Sequence, residues 1–283
     1  MPELLAPNDY LPLVQAALAE DIGSGDATTL ALVPGDSFVT AVMVARESLV
    51  MAGVDLALAA FQQVDERVEF GIEVLDGQNG VLGQALLRVQ GPTRALLTAE
   101  RTALNFLQRL SGVATLTAQF VGQVAGTRAQ ILDTRKTTPG WRALEKYAVA
   151  CGSGTNHRMG LYDQVLIKDN HLVALDGEIA AAVARAREAS PELKIEVEAN
   201  TVEQARAAAD AGADIVLLDN MNCDELREAI EQIDGRAKTE ASGGVTLETV
   251  RGIAETGVDF ISVGALTHSA PAVDIAFDFD SIA

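Results

Sequence analysis

The segment 135–171 gathers positively charged side chains in a strongly acidic chain. It contains six of the 21 Lys and Arg residues and two of the three His residues but only three acids, although the formal net charge is −19. These residues are Arg135, Lys136, Arg142, Lys146, His157, Arg158, Lys168 and His171. Because gathered cations repel one another unless an anion offsets the repulsion, the cluster predicts a site for a ligand with several negative charges.

The composition excludes several classes of protein. A chain of 283 residues with 48% hydrophobic residues can bury one large core or two modest ones. The acidic balance argues against nucleic acid or an anionic membrane as a partner, because both attract basic surfaces. No apolar run approaches the roughly 18–20 residues that span a bilayer, and the first residues lack the order of a signal peptide. We therefore expect a cytoplasmic protein.

The first 110 residues predict a small α+β domain. We expect a helix over Leu11–Glu20, and alternating or β-branched apolar segments predict strands. These segments are 37–53, 66–77 and 84–92. The segment 273–281 also alternates, with Asp outward, and we expect it to extend the sheet of this domain. The predicted domain therefore comprises residues 1–110 and the tail 271–283.

A long helix is expected over 93–115, where Glu100 interrupts an apolar stripe and Arg101 flanks it. The pattern fits a helix that presents an acid and a base at a protein interface. It fits an ordinary surface pair equally well.

From residue 129 onward, short strands alternate with Ala-rich helices. The strand candidates are AQILDT, QVLIKDN, KIEVEAN, ADIVLLDN, AKTEASGG and VDFISVGA. Right-handed connections between such strands wrap a parallel barrel, but residues 111–270 are fewer than the roughly 200–250 residues typical of eight units. The predicted fold class is α/β: an incomplete parallel α/β barrel of fewer than eight strands over 111–270, with a smaller α+β sandwich domain.

Each strand candidate of the barrel ends in polar residues or glycine. These are Asp133 to Lys136, Lys168, Glu196 and Glu198, Asp219, Ser242 to Gly244, and Gly264. Active sites of parallel barrels lie at the carboxyl ends of the strands, so the pattern predicts a site there. The start of a loop explains one or two polar strand ends but not six.

Two glycine turns, Ser242–Gly244 and Ser262–Ala265, end the last two strand candidates of the barrel. Backbone N–H groups without neighbouring side chains approach phosphate closely, so the pair of turns predicts a monophosphate site. A third glycine segment, Gly152–Gly154, precedes His157 and Arg158. It would bring these two side chains over the rim of the barrel or act as a hinge.

Eight stretches between residues 20 and 269 form a specific series of motifs: EDIGSGDATT, AERTALNFLQRLSGVAT, DTRKTTPG, GTNHRMGLYDQVLIKDNH, EVEAN, VLLDNM, EASGGV and DFISVGALTHS. In these motifs and in their order the chain resembles the quinolinate phosphoribosyltransferase family, also called nicotinate-nucleotide pyrophosphorylase (carboxylating). Two positions depart from the family pattern: Ser153 stands where a third glycine is usual, and Trp141 replaces an aliphatic residue.

The resemblance implies transfer of the phosphoribosyl group of phosphoribosyl pyrophosphate to quinolinate, with nicotinate mononucleotide, pyrophosphate and carbon dioxide as products, in NAD biosynthesis. It also implies Mg²⁺ as cofactor and a homodimer or higher oligomer with a shared active site. Both substrates carry several negative charges, which agrees with the cation cluster.

The resemblance also implies roles for individual residues. Lys136, Lys168, Glu198 and Asp219 would be catalytic, the two lysines next to the leaving pyrophosphate and the two acids next to the ribose hydroxyls or the metal. Arg101 of a second subunit, Arg135, His157 and Arg158 would hold the two carboxylates, and Ser242, Gly243, Gly244 and Gly264 the monophosphate. Thr134 and Ser262 complete the implied substrate-binding set.

Two other classes of protein are compatible with parts of the pattern. A phosphosugar aldolase would use Lys168 as a Schiff-base nucleophile, but it would need fewer cations than this chain places together. A non-catalytic anion-binding protein would not require both lysines together with Glu198 and Asp219. A relative that acts on another pyridine would share the part of the site that binds the phosphoribosyl donor.

Overall fold

The computed structural model describes residues 5–279. In chain order the elements are α1 (Pro7–Ile22), α2 (Ala27–Leu32), β1 (Phe38–Ala45), β2 (Leu49–Val50), α3 (Val54–Val64), β3 (Glu69–Ile72), β4 (Asn79–Gly80), β5 (Ala85–Pro92), α4 (Thr93–Gln123), β6 (Gln130–Leu132), α5 (Arg142–Cys151), β7 (Val165–Ile167), α6 (Asp169–Val173), α7 (Ile179–Ala189), β8 (Ile195–Ala199), α8 (Val202–Asp210), β9 (Ile215–Asp219), α9 (Cys223–Ile233), β10 (Lys238–Ser242), α10 (Val250–Ala254), β11 (Phe260–Ser262), α11 (Ala265–His268) and β12 (Ile275–Phe279). Among the described residues, no helix is long and apolar enough to cross a bilayer.

The described residues form two compact units. The first contains the residues up to Ala118, the segment Thr138–Ser153 and the residues from Ser269 onward; the second contains Gln119–Thr137 and Gly154–His268. The segment Thr138–Ser153, which the predicted division places in the barrel domain, thus groups with the first unit. The predicted domain bounds themselves stay a prediction.

An antiparallel sheet in the order β12-β1-β5-β3 forms the centre of the first unit. Ala41, Met43 and Ala45 of β1 are fully buried, because alternate side chains of a strand point to the same face. Strand β12 pairs antiparallel with β1, with Ile275 opposite Ala45. The tail therefore extends this sheet as expected, although Asp280 and Ser281 of the predicted segment lie outside the described residues.

Helix α5 carries buried polar groups into the first unit. Lys146 is fully buried and Glu145 accepts hydrogen bonds from the backbone N–H and the hydroxyl of Thr138 at 3.0 and 2.7 Å. The Tyr147 hydroxyl donates to Asp76 at 2.8 Å. Burial raises the pKa of the Cys151 thiol to about 12, so this cysteine is a neutral packing residue of the unit.

The second unit is built on six parallel strands in the order β6-β11-β10-β9-β8-β7. Buried apolar side chains dominate its central strands, as in Ile215–Leu218 of β9, because helices cover parallel sheets. At the β6 edge, Leu132 forms a parallel bridge with Thr155. The incomplete parallel barrel with a smaller antiparallel-sheet domain is confirmed, and all six strands end at the same edge of the sheet.

Helix α4 contains two glycines that differ in their surroundings. A Cβ on Gly112 would lie 2.0 Å from the carbonyl oxygen of Pro271, whereas a Cβ on Gly122 would meet nothing within 4 Å. The close approach of two backbones therefore requires glycine at position 112 only.

We predict opposite effects of Gly112→Ala and Gly122→Ala on stability. Gly112→Ala should lower the free energy of unfolding by about 1–3 kcal/mol, because rigid backbone must move to admit the methyl group. Gly122→Ala should raise it by about 0.5–1 kcal/mol, because alanine loses less conformational entropy in a helix. Denaturant unfolding of the two variants measures both values, and a Gly112→Ala variant as stable as the parent would contradict the packing described here.

Candidate active site

A cavity of about 570 Å³ opens at the carboxyl ends of the parallel strands. It is lined by Thr134, Arg135, Lys136, His157, Arg158, Leu166, Lys168, Glu198, Leu217, Asp219, Asn220, Glu240, Ser242, Gly243, Gly244 and Ser262. The structure thus brings together all the predicted site residues except Arg101 and Gly264. Each of the six strands contributes through its last residues or the loop that follows it.

Four cations line the cavity: Arg135, Lys136, Arg158 and Lys168. Lys168 is about half exposed, and its Nζ lies 3.3 Å from Glu198 Oε2. The Nε of Arg135 is buried and donates to no acceptor among the described residues. A buried donor of a charged group without an acceptor is costly, so this nitrogen favours an anion in the cavity.

The predicted cation cluster is larger than the one that lines the cavity. Arg142 and Lys146 lie on α5 in the first unit. His171 caps the start of α6, where its Nδ1 accepts the N–H of Lys168 at 2.9 Å. His171 does not line the cavity, whereas the expectation that Arg142 and Lys146 contribute to the same cluster stays a prediction.

The loop after β6 fixes the position of Lys136. Its N–H donates to Thr134 Oγ1 at 3.0 Å, and its carbonyl accepts the Thr267 hydroxyl at 2.7 Å. A Cβ on Gly264 would lie 3.1 Å from Lys136 Cδ. Glycine at position 264 therefore leaves room for the lysine side chain to cross this part of the rim.

A smaller pocket of about 250 Å³ adjoins this rim. It is lined by Thr134, Lys136, Ser242, Gly243, Gly244, Val245, Thr246, Ser262, Gly264, Ala265 and His268. Gly264, which does not line the main cavity, thus lies with the other members of the predicted monophosphate site. A lysine and several glycines at the ends of the last strands are the features that suit a phosphate group.

Asn220 is a site residue that the sequence did not reveal. Its φ is +57°, its N–H donates to the Ser242 carbonyl at 2.8 Å, and its Nδ2 donates to Asp219 Oδ2 at 2.6 Å. Gly243 has a φ of +99°, and a Cβ there would lie 2.1 Å from Asn220 Oδ1. Asn220 therefore links Asp219 to the glycine turn. The left-handed region tolerates asparagine, but the sequence of the strand end alone does not indicate this contact.

His157 is held by buried carboxyl groups. Its ring Nε2 lies 3.1 Å from Glu196 Oε2 and 3.5 Å from Glu240 Oε2. The backbone N–H of His157 donates to Asp133 Oδ1 at 2.9 Å. Both glutamates and Asp133 are fully buried. The expected role of His157 in holding a substrate carboxylate stays a prediction, and its ring is also part of this internal network.

The buried glutamates have perturbed pKa values. Burial raises the pKa of Glu196, and burial together with the nearby Glu196 charge raises the pKa of Glu240. Glu196 is one of the polar residues that end the strand candidates, whereas Glu240 lies within the stretch KTEA and is not among them. A glutamate within a predicted central strand does indicate a buried polar network, since charged residues are almost never fully buried without partners.

Arg158 lies beside this network. Its Nη1 donates to the Gln164 carbonyl at 3.2 Å, and Gln164 Nε2 donates to Glu196 Oε2 at 2.6 Å. Burial and the neighbouring positive charge of Arg135 lower the pKa of Arg158. Two guanidinium groups that repel each other at the same wall indicate an anionic ligand with more than one charge.

The described residues contain one group of side chains close enough to hold a metal ion, His157 with Glu196 and Glu240, whose ligand atoms lie within 4.8 Å of one another. The predicted metal ligands Glu198 and Asp219 line the cavity apart from this group. Two carboxylates facing a phosphate-sized space suit Mg²⁺, which binds one or two carboxylates and takes its remaining ligands from water and substrate phosphates.

Arg101 lies on α4 in the first unit and does not line the cavity of the second unit. Its side chain is 60% exposed and lies 3.9 Å from Glu100. It borders a groove of about 650 Å³ that also contains Trp141 and Phe106, whose rings stack with centroids 5.1 Å apart. Trp141, one departure from the family pattern, is thus a packing residue of the first unit.

The other departure from the family pattern, Ser153, adopts a φ of +65°. This left-handed conformation favours glycine, so the serine keeps the backbone that a glycine would adopt at this position. The loop that follows still reaches the β6 edge, where Thr155 pairs with Leu132.

The fold and the cavity define a class of protein: an open parallel α/β barrel whose cavity is suited to a polyanionic ligand that contains phosphate. Two family models match the chain, "Quinolinate phosphoribosyl transferase, N-terminal domain" over residues 26–111 and "Quinolinate phosphoribosyl transferase, C-terminal domain" over residues 113–278. The chain belongs to the quinolinate phosphoribosyltransferase family.

Individual relatives are similar to the chain over almost its whole length. The nicotinate-nucleotide pyrophosphorylase [carboxylating] of Mycobacterium leprae is 47% identical over 273 residues, which cover 94% of this chain and 95% of the relative. A probable enzyme of the same name from Bacillus subtilis is 44% identical, with 92% and 89% covered. The solved nicotinate-nucleotide pyrophosphorylase of Francisella tularensis has a TM-score of 0.93 at 38% identity and covers 98% of both chains.

We predict that Gly243→Ala weakens binding of ribose 5-phosphate by about tenfold or more, because the methyl group would displace Asn220 and the glycine turn. Gly244→Ala is the matched comparison: position 244 also has a positive φ, of +59°, but a Cβ there would meet nothing within 4 Å. Gly244→Ala should weaken binding only about fivefold, because backbone strain of about 1 kcal/mol corresponds to that factor. Calorimetric titration measures both affinities, and equal losses in the two variants would contradict the role of the Asn220 contact.

Proposed function

We propose that the chain catalyses the transfer of the phosphoribosyl group of phosphoribosyl pyrophosphate to quinolinate, giving nicotinate mononucleotide, pyrophosphate and carbon dioxide in NAD biosynthesis. The enzyme is a pentosyltransferase, and its relatives are named nicotinate-nucleotide pyrophosphorylase [carboxylating]. The observation that carries the proposal is the convergence of Arg135, Lys136, Arg158 and Lys168 on one cavity next to a glycine-lined pocket. The cytoplasmic location expected from the sequence stays a prediction.

The two arginines suit the two carboxylates of quinolinate. A guanidinium group pairs with a carboxylate through two parallel hydrogen bonds, which orients the pyridine ring as well as attracting it. The buried Nε of Arg135 would gain the acceptor that it lacks among the described residues. Binding of the dianion would also offset the repulsion between Arg135 and Arg158.

The opposite part of the rim suits the phosphoribosyl donor. We propose that Ser242, Gly243, Gly244 and Gly264 hold its monophosphate and that Thr134 and Ser262 take part in substrate binding. Lys136 lines both the main cavity and the smaller pocket, so it can neutralise charge between the monophosphate and the pyrophosphate. Lys168 would stabilise the negative charge that develops on pyrophosphate as the glycosidic bond breaks.

Glu198 and Asp219 are suited to stabilise the positive charge that develops on the ribose in the same transition state. Their carboxylates line the cavity and can accept hydrogen bonds from the ribose hydroxyls while positive charge develops on the ribose. We propose Mg²⁺ as cofactor, held by these two residues directly or through water. The ion would neutralise the pyrophosphate leaving group.

Carbon dioxide can leave once the ring nitrogen carries the ribose. The nitrogen is then cationic, and the bond between the ring and the adjacent carboxylate breaks with its electron pair on the ring carbon. The positive nitrogen stabilises this pair until the carbon takes up a proton. The work of the protein in this step is to orient the nucleotide and to exclude competing reactions.

An aldolase reaction is disfavoured by the surroundings of Lys168. A Schiff-base lysine is activated in a desolvated pocket or by a neighbouring cation, whereas Lys168 is about half exposed and lies next to Glu198. The four cations of the cavity also exceed what a single phosphate requires.

The proposed reaction is tested by an ultraviolet assay of nicotinate mononucleotide with quinolinate, phosphoribosyl pyrophosphate and Mg²⁺. We expect turnover that EDTA abolishes and that added Mg²⁺ restores, because the pyrophosphate leaving group needs its charge neutralised. Lys168→Met should lower kcat by about 100-fold or more. Nicotinate in place of quinolinate should react poorly, and equal rates with both acids would overturn the assigned substrate.

We further propose that the active protein is a homodimer or higher homo-oligomer in which Arg101 of one subunit contributes to the site of another. The support is the family pattern together with the exposed position of Arg101, outside the residues that line the cavity. A third guanidinium group at the carboxylates would complete the recognition of the quinolinate dianion.

Mixing of inactive variants tests the shared site. Arg101→Ala and Lys168→Ala subunits should each be nearly inactive, whereas an equal mixture that exchanges subunits should recover about a quarter of the wild-type activity, as expected for a two-fold symmetric dimer with one intact site in each mixed dimer. Absence of any recovery, with subunit exchange shown by native mass spectrometry, would rule out the shared site.

A further inference from the structure

Asn220 joins the ends of two neighbouring parallel strands. In the register of β9 and β10, Asp219 lies opposite Ser242. The backbone N–H of Asn220 donates to the Ser242 carbonyl at 2.8 Å, one residue beyond this pair. The end of β9 is thus held next to the start of the glycine turn that follows β10.

The side chain of Asn220 contacts both of these elements. Its Nδ2 donates to Asp219 Oδ2 at 2.6 Å. Its Oδ1 occupies the space that a Cβ on Gly243 would take, since such a Cβ would lie 2.1 Å from this oxygen. One amide group therefore contacts the acid that is suited to the ribose hydroxyls and the turn that is suited to the monophosphate.

The backbone conformation of residue 220 does not by itself require asparagine. Its φ is +57°, a region that glycine adopts with the least strain and that asparagine tolerates. Glycine would have no side chain to donate to Asp219. What asparagine adds is this contact, and the contact lies at the cavity, which Asp219, Asn220 and Gly243 all line.

The contact restricts the rotation of a carboxylate. A hydrogen bond to an ionised acceptor is shorter and stronger than one between neutral groups, and a donor at Oδ2 leaves Oδ1 of Asp219 for a ligand. In a sugar phosphate the hydroxyls and the phosphate group belong to one covalent frame. The protein groups that bind them must therefore keep a matching separation.

We propose that Asn220 is a positioning residue for the phosphoribosyl donor: it fixes the carboxylate of Asp219 relative to the glycine turn at the separation that a ribose 5-phosphate unit requires. The site then recognises the ribose and its phosphate as one ligand. This proposal rests on the proposed function, in which the glycine turn binds the monophosphate and Asp219 the ribose hydroxyls. Asn220 acts through these two elements.

The first test is calorimetric and needs no turnover. Ribose 5-phosphate and inorganic phosphate are titrated separately in the presence of EDTA, so that no metal ion takes part. We expect Asn220→Gly to weaken binding of ribose 5-phosphate about tenfold and of inorganic phosphate less than about threefold, because it removes the hydrogen bond to Asp219 and keeps the glycine turn. Glycine suits a positive φ, so the backbone contact with Ser242 remains.

Asn222→Gly is the matched control, with the same substitution two positions further along the chain. Asn222 caps α9, where its Oδ1 accepts the N–H groups of Asp224 and Glu225 at 2.9 and 3.1 Å. It is not among the residues that line the cavity. Because glycine is tolerated at the start of a helix, this variant should fold and bind both ligands as the parent does.

A double-mutant cycle shows whether Asn220 acts through Asp219. In the Asp219→Ala background, Asn220→Gly should change the affinity for ribose 5-phosphate by less than about twofold, because the carboxylate that it orients is absent. A residue that only stabilises the fold would weaken binding by the same factor in both backgrounds.

Steady-state kinetics adds a second reading. In Asn220→Gly the KM for phosphoribosyl pyrophosphate should rise about tenfold, while the KM for quinolinate should stay within about threefold of the parent, because only the donor contacts Asp219 and the glycine turn. An equal rise of both KM values would contradict a role confined to the donor.

Contrary results of the binding tests overturn the proposal. These results are equal losses for ribose 5-phosphate and inorganic phosphate, the same factor in both backgrounds of the cycle, and an Asn220→Gly variant that binds ribose 5-phosphate as tightly as the parent. If the binding results are as expected but the parent does not turn over quinolinate, the proposed reaction fails and the positioning role stands. If the parent turns over quinolinate and Asn220→Gly binds unchanged, the reaction stands and the positioning role fails.

Discussion

Repulsion among four cations at one rim is the constraint on which the second unit depends. Arg135, Lys136, Arg158 and Lys168 line one cavity, and without a ligand only part of their charge is offset, as by Glu198 at 3.3 Å from Lys168. The fold supports this arrangement through backbone contacts: Thr267 holds Lys136, and the bridge at Thr155 anchors the loop that carries Arg158. A site held in this way has its charges in place before the polyanionic substrates arrive, which is the preorganisation that electrostatic catalysis requires.

Below this positive rim lies an internal layer of acids. Asp133, Glu196 and Glu240 are fully buried, and His157 connects all three through its backbone and its ring. Burial raises the pKa values of Glu196 and Glu240, because a carboxylate is costly away from water. Buried polar networks of this kind are favourable only when every donor and acceptor is satisfied. Glu196 Oε1 and Glu240 Oε2 accept no hydrogen bond from the described residues, so this layer is not fully satisfied.

The regular part of this architecture follows from the sequence because its physical signals are local. Apolar runs such as that of β9 end in a polar residue, and parallel strands place their ends at one edge, so Lys168, Glu198 and Asp219 could be assigned to one site. The alternation of the tail likewise predicted its pairing with β1. Charge clustering along the chain does not predict the division into units, because α5, which carries Arg142 and Lys146, groups with the first unit although it lies between two segments of the second. The sequence does not indicate Asn220 and Glu240, because their contacts run between strands, with Gly243 and with Ser262, and no spacing along the chain predicts them.

The central claim is that the two ends of a pyridine nucleotide bind at opposite parts of one rim. A crystal structure of the protein with nicotinate mononucleotide tests it most directly. The account predicts the phosphate group between Gly243, Gly244 and Gly264 and the carboxylate against Arg135 and Arg158. A phosphate group bound to the arginines, or a nucleotide bound outside the cavity, would contradict it.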